Sequence, residues 1–171
     1  MSSKLLVDDL VEKTSGHGVQ IPGHVVQVVH ATSGDGSEIS VTGTTWTSGG
    51  SESTVTITPK SSSSKLLIMA NFNADTAETD NRSMYTFFKS VNGATYANVV
   101  STSTQNYDAL ARIHETGERI LVNQTMIFYD DATNTTAHAY RLYVRSQNSG
   151  EISRIRNDVT PCQLVAMEIA Q

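Results

Sequence analysis

The stretch "AHAYRLYVRS", Ala137 to Ser146, decides the fold. Tyr140, Leu142 and Val144 recur at every second position, with Arg141, Tyr143 and Arg145 between them. A side-chain period of two is that of a β-strand with one buried face; a helix would need apolar residues three and four apart. The same reading extends outward along the chain. "STVTITP" (51–59 region) alternates strictly, "KLLIMANFNA" (65–74) is a core strand, and "RSMYTFFKSVNG" (82–93) ends in Asn92-Gly93, a strong hairpin signal. "ATYANVVSTS" is a weaker strand, "RILVNQTMIFYDD" is long and apolar, "EISRIRND" reads as a short exposed strand, and "CQLVAMEIA" closes the chain. With "HVVQVVHA" at the start, the count is eight or nine strands at the spacing of a sandwich. After His30 the sequence predicts no helix of three turns, although "NYDALARIHETGER" could hold one short turn.

Composition agrees with an all-β chain. Roughly a quarter of the 171 residues are Ser or Thr, which suit turns and half-exposed strands. Hydrophobic residues are 38%, low for a globular chain, so neighbouring chains could supply part of the burial. The net charge is −5. The densest basic stretch, "RSQNSGEISRIR" with Arg145, Arg154 and Arg156, is not the clustered basic face a nucleic-acid partner requires. No stretch is long enough to span a bilayer, so no membrane insertion is expected. The single Cys162 cannot form an intrachain disulfide and reads as a small buried hydrophobe.

Residues 1–22 differ from the rest. "KLLVDDLVEK" places Leu5, Leu6, Val7, Leu10 and Val11 in a pattern that fits a helix or an extended segment, before "TSGHG" interrupts it. The acids in this segment do not suit a secretory leader. The reading is an anchor or stalk over 1–22, with a β-sandwich head over 23–171. Pro22 fixes the backbone direction where the head begins.

Two strands are apolar on both faces. In "HVVQVVH", simple alternation sends Val26 and Val28 one way, and Val25 and Val29 the other. In "CQLVAMEIA", Leu164 and Ala166 oppose Val165, Met167 and Ile169. A sandwich in water needs one apolar face per strand, so a second one implies a cover. A copy of the same chain is the economical cover, with Val25, Val29, Val165, Met167 and Ile169 as interface residues.

Chemical sites are poorly supported. His24 and His30 are six residues apart, roughly 20 Å along a strand, too far to share an ion with each other or with His17 in one chain. "ARIHETGERI" lacks the second histidine of a zinc-protease helix. "GDGSE" has too few oxygen ligands for a calcium loop. Asp130 and Asp131 could form a glycosidase pair, but neighbours on a strand point to opposite faces. No catalytic residue, metal site or cofactor is expected. Trp46, Tyr85, Tyr96 and Tyr107 are candidates for a sugar-stacking or receptor surface, with Trp46 and Tyr107 the best placed in loops.

The words "IPGHVVQVV", "TVTITPKSSSSKLLI", "MIFYDDATNTTAHAYRLYV" and the closing "LVAMEIA" resemble small virion proteins and fibre C-terminal domains of tailed bacteriophages, particularly marine and cyanobacterial ones. The resemblance runs from about Leu5 to Ala170, and "ITPKSSSSKLLI" and "AMEI" are its most specific pieces. It implies a jelly-roll-like sandwich that assembles as a trimer and has a non-enzymatic role as fibre, spike, tail-associated or capsid-decorating protein. It also implies assembly in the host bacterial cytoplasm, contacts with other virion proteins through the N-terminal segment, and contact with host surface glycans. A carbohydrate-binding module is the alternative of a different class.

Overall fold

A computed structural model describes residues 21–33, 38–76, 80–100 and 108–171. The anchor candidates Leu5, Leu6, Val7, Leu10 and Val11, together with His17, the "GDGS" turn and Tyr107, lie outside the described residues.

The described chain is built of antiparallel strands, with a single 3-10 turn at Ser51–Ser53. The strands are β1 (Val25–Thr32), β2 (Glu38–Val41), β3 (Thr47–Ser48), β4 (Thr54–Ile57), β5 (Lys65–Thr76), β6 (Arg82–Val91), β7 (Ala97–Asn98), β8 (Ala111–His114), β9 (Ile120–Asp131), β10 (His138–Ser146), β11 (Ser153–Arg156) and β12 (Gln163–Ile169). The first sheet has the order β1-β12-β5-β11-β2, with β9 along the other side of β5. The second has the order β3-β10-β6-β7, with β4 also on β10 and β8 also on β6. The two sheets pack face to face as a jelly-roll-like β-sandwich.

The core lies between the sheets. β5 sends Leu66, Ile68, Ala70, Phe72 and Ala74 inward, and β10 sends Tyr140, Leu142 and Val144, all essentially unexposed. Tyr85 and Phe87 of β6 and Leu164 and Ala166 of β12 complete the layer. The Leu142 side chain is wholly enclosed, so Leu142→Ala is expected to cost about 2–5 kcal/mol, read as a lower urea midpoint at unchanged slope.

Asn92 and Gly93 both take positive φ, 52° and 75°, and form the tight turn from β6 toward β7 that the dipeptide foretold. Gly49 donates to the Leu142 carbonyl oxygen at 2.8 Å, and a Cβ there would meet that same oxygen at 2.8 Å. Only glycine lets the two backbones come this close.

Four sequence expectations need correction. "ARIH" forms β8 against β6 and not a helical turn, because its pairing with Arg82–Tyr85 supplies the hydrogen bonds a short helix would have lacked. The strand count rises to twelve among the described residues, since β2, β3 and β8 are short segments hidden in polar or loop-like sequence. "SRIR" (β11) is an interior strand between β5 and β2, with Ser153 and Ile155 fully buried. The fourth concerns β1. Val25 pairs with Ile169, yet Gln27 pairs with Glu168, so Val26 is an extra residue in a β-bulge. The bulge resets the alternation: Val25 and Val28 share the outer face, and Val29 turns inward to pack on the core.

Candidate functional site

Three features of the sandwich stand out: a buried carboxylate clasp, an arginine cluster, and two outward sheet faces with apolar or aromatic residues.

The clasp joins distant sequence words. Glu168 of β12 faces inward and is fully buried. It accepts hydrogen bonds from the backbone N–H of Lys60, at 2.8 and 3.0 Å to its two oxygens, and from that of Ser61 at 3.1 Å. The Gln27 side-chain amide on β1 also donates to Glu168, at 2.6 Å, and to the Thr58 carbonyl at 2.7 Å. Burial pulls the Glu168 pKa up, but the Lys60, Gln27 and Ser61 donors outweigh it and hold the carboxyl below its ordinary value. "ITPKSSSSKLLI" and "AMEI" therefore meet at one carboxylate. Sequence reading did not single out Glu168, since one acid inside an apolar strand carries no periodic signal.

Asp75 is likewise fully buried although it stands on the outer side of β5. Arginines cover it. Arg119 donates from Nε at 3.0 Å, Arg156 from Nη1 at 3.0 Å, and Arg154 Nη1 lies at 3.5 Å. Glu38 pairs with Arg154 at 2.9 Å, and Asp158 with Arg156 at 2.6 Å. Burial raises the Asp75 pKa, but the Arg119 and Arg156 hydrogen bonds win and keep it lowered. Arg154 and Arg156 of the basic stretch are thus balanced by carboxylates within the chain.

The outer face of the first sheet is the apolar surface that the two-faced strands implied. Backbone pairing aligns Val28, Met167, Leu67 and Tyr129 in one row across β1, β12, β5 and β9, and His30, Val165, Met69 and Ile127 in the next. Val25, Ile169, Lys65 and Asp131 form the row beyond. Val28 and Ile127 are each 56% exposed, Tyr129 63% and Val25 42%, while Val165, Met167 and Ile169 are half-buried. The patch has polar borders. Lys65 pairs with Asp131 at one end. At the other, the Asn71 and Asn123 amides bond each other at 2.7 and 2.9 Å. His30 Nε2 lies 2.7 Å from Gln163 Oε1. An apolar centre with a polar rim is the anatomy of a protein interface. Of the interface residues expected from sequence, Val25, Val165, Met167 and Ile169 lie on this face. Val29 does not, and Val28, Leu67, Met69, Ile127 and Tyr129 join it.

The outer face of the second sheet carries aromatic residues. Phe88 stacks on Tyr143 with ring centres 4.0 Å apart, Trp46 meets Phe88 edge-on at 5.9 Å, and Tyr96 lies 6.4 Å from Tyr143. The Arg141 guanidinium sits 4.3 Å from the Tyr96 ring centre, and that of Arg145 5.0 Å from Trp46. Trp46 is half-buried and fixed: its Nε1 donates to Asp108 at 3.0 Å, and Arg145 donates to the same carboxylate at 2.7 Å. Burial raises the Asp108 pKa, and these two donors bring it below normal. Tyr85 is no surface residue. It is buried in the core, with its hydroxyl donating to the Arg154 carbonyl at 3.0 Å.

The residues weighed for chemistry have other work. Asp130 and Asp131 point to opposite faces: Asp130 takes Lys89 at 2.6 Å and the Tyr140 hydroxyl at 2.5 Å, and Asp131 takes Lys65. Glu115 turns back to accept the Gly117 and Glu118 backbone N–H groups, closing its own loop. No group of three metal-ligating side chains forms among the described residues. Cys162 is buried, which pushes its thiol pKa up to about 12 and leaves it protonated.

No protein-family profile and no curated protein matches the sequence. Among solved structures, the chain is similar to "Structure of infectious bursal disease virus Gt strain" at a TM-score of 0.48 and 14% identity, over 100% of this chain and 43% of that one. It is similar to "Crystal structure of infectious bursal disease virus VP2 subviral particle" at 0.39 and 16%, over 85% and 37%. The chain spans less than half the length of the structures it matches.

Proposed function

We propose that the chain is a non-enzymatic structural virion protein of a tailed bacteriophage, an oligomeric fibre, spike or tail-associated component. Residues 1–22 dock it to other virion proteins, and the sandwich head faces outward. The observation that carries this reading is the apolar outer face built on Val25, Val28, Val165, Met167 and Ile169. Its row Val28, Met167, Leu67 and Tyr129 runs unbroken across four strands, which a chain working alone in water has no use for. The resemblance of the strand words to trimeric virion heads names the cover as copies of the same chain. Val28 stands at the β1 end of that apolar row and is already exposed, so Val28→Asp leaves the fold of one chain intact while placing a charge in the interface. Light scattering is expected to give a whole multiple of three times the 18.5 kDa chain mass for the wild type and a threefold lower mass for the variant, with unchanged circular dichroism. A wild-type monomer at micromolar concentration would refute the assembly.

A second reading, a carbohydrate-binding or host-adhesion surface, rests on the Trp46–Phe88–Tyr143–Tyr96 run on the opposite sheet. It belongs to the same virion role if the first sheet assembles and the second faces the host. Loss of glycan-array binding in Trp46→Ala would support it.

A further inference from the structure

β9 ends the first sheet. Among the described residues it pairs with β5 alone, over twelve consecutive positions without a bulge. Its free edge is therefore long and straight. From Ile120 to Tyr129 it carries no charged residue and no proline. Natural proteins blunt such edges with lysine, proline, bulges or covering loops, because an unpaired ladder recruits another strand. Lysine, proline and bulges are missing here along ten residues, and no other strand among the described residues pairs with this edge.

We infer that the free edge of β9 pairs antiparallel with β9 of a second copy of this chain, about a two-fold axis at Thr125. Three observations select this occupant. The first is facing. Odd-numbered residues from Leu121 to Asp131 point outward and even-numbered ones inward. Residues directly opposite one another share a face, so a self-pairing register must join odd to odd and even to even. The second is charge. Arg119 precedes β9, while Asp130 and Asp131 end it. Antiparallel pairing keeps the Asp130-Asp131 end of each copy away from that of the other, whereas parallel pairing sets these like charges together. The register centred on Thr125 places Arg119 opposite Asp131, Leu121 opposite Tyr129, and Asn123 opposite Ile127. The exposed Leu121 and Tyr129 thereby gain an apolar partner twice over.

The third is space on the inner side. A groove of about 400 Å³ lies between β9 and β7, the strand that ends the other sheet, and its lining includes Val91, Ala97, Val99 and Phe128. The same register sets Val122 of the second copy opposite Phe128, beside this groove. The pairing would continue the four-strand apolar outer face into an eight-strand one. It uses the backbone edge of β9 and not the outer face, so it is separable from the assembly proposed above.

Cysteine cross-linking tests it on the full chain. Thr125→Cys meets its own copy at the axis and is expected to give a disulfide-linked dimer under mild oxidation. Asn123→Cys is displaced from its own copy by four residues, about 13 Å along the strand and beyond disulfide reach, so it should cross-link roughly ten-fold more slowly. Thr125→Lys sets like charges face to face and should abolish the association, and mixing it with Thr125→Glu should restore it. Equal cross-linking of the two cysteine variants, or no covalent dimer from Thr125→Cys, overturns the pairing. The Val28→Asp variant should still cross-link through Thr125→Cys, which separates failure of this edge from failure of the outer-face assembly.

Discussion

Replacing Glu168 by leucine is expected to destabilise the head by about 3–5 kcal/mol, among the largest effects of any single change in the chain. The physical reason is that the carboxylate is the shared acceptor of three donors. Without it, the Lys60 and Ser61 N–H groups and the Gln27 amide lose their common acceptor at a part-buried site. An orphaned donor costs on the order of 1–3 kcal/mol where water cannot reach it and less where it can, and the costs overlap because the donors share one site. For a chain of this size the melting midpoint should fall by about 10 °C. The pH dependence follows from the lowered pKa. Glu168 is held below its unfolded value, so its contribution is complete above about pH 4.3 and is lost as the pH falls through the folded pKa. Thermal melts from pH 7 to pH 3 should show a steep acid loss in the wild type and a shallower one in Glu168→Gln. Parallel curves would mean that the clasp does not titrate.

Asp75→Asn should cost a similar amount, about 3–5 kcal/mol, for a different reason. Asp75 is the buried negative charge at the centre of Arg119, Arg154 and Arg156. Removing one partner of a buried ionic group leaves the others uncompensated, which is worse than never having had the group. The share due to Arg119 is small, because its side chain is half exposed and water screens it. The shares of Arg154 and Arg156, each 16% exposed, are larger. The cluster ties β5 to β11 and to the chain entering β9, so amide exchange in β11 should accelerate most in the variant. Added salt should stabilise Asp75→Asn relative to the wild type by screening the three like charges. An unchanged melting midpoint would show that the arginines relax to water at no cost.

Much of the fold was legible in the sequence, and the parts that were not share a cause. β4, β5, β9, β10 and β12 announce themselves by period two or by long apolar runs, and Asn92-Gly93 by turn chemistry. β8 and β2 are four residues each, too short for a period, and exist because β6 and β11 pair with them. The bulge at Val26 is invisible to any count of alternation, since it depends on which partner Gln27 finds across the sheet. It moved Val29 into the core and brought Val28 out. The apolar outer face was readable from β1 and β12, whose second faces are apolar, but the contributions of Leu67, Met69, Ile127 and Tyr129 required the pairing to be known. Glu168 and Asp75 gather partners as far as 141 and 81 residues away in sequence, and no local pattern encodes such a meeting. The aromatic run was half legible. Trp46 and Tyr96 were expected near a surface, while Phe88 and Tyr143 complete the run from adjacent strands.

We propose that this chain is a structural part of a virus particle, assembled through the outer face of its first sheet. Quantitative mass spectrometry of purified particles tests it most directly. The expected result is the chain present in every particle at a copy number divisible by three, and reduced to trace amounts when the particles carry Val28→Asp. Particles that lack the wild-type chain, with the protein recovered only as free monomer from the lysate, would contradict the account.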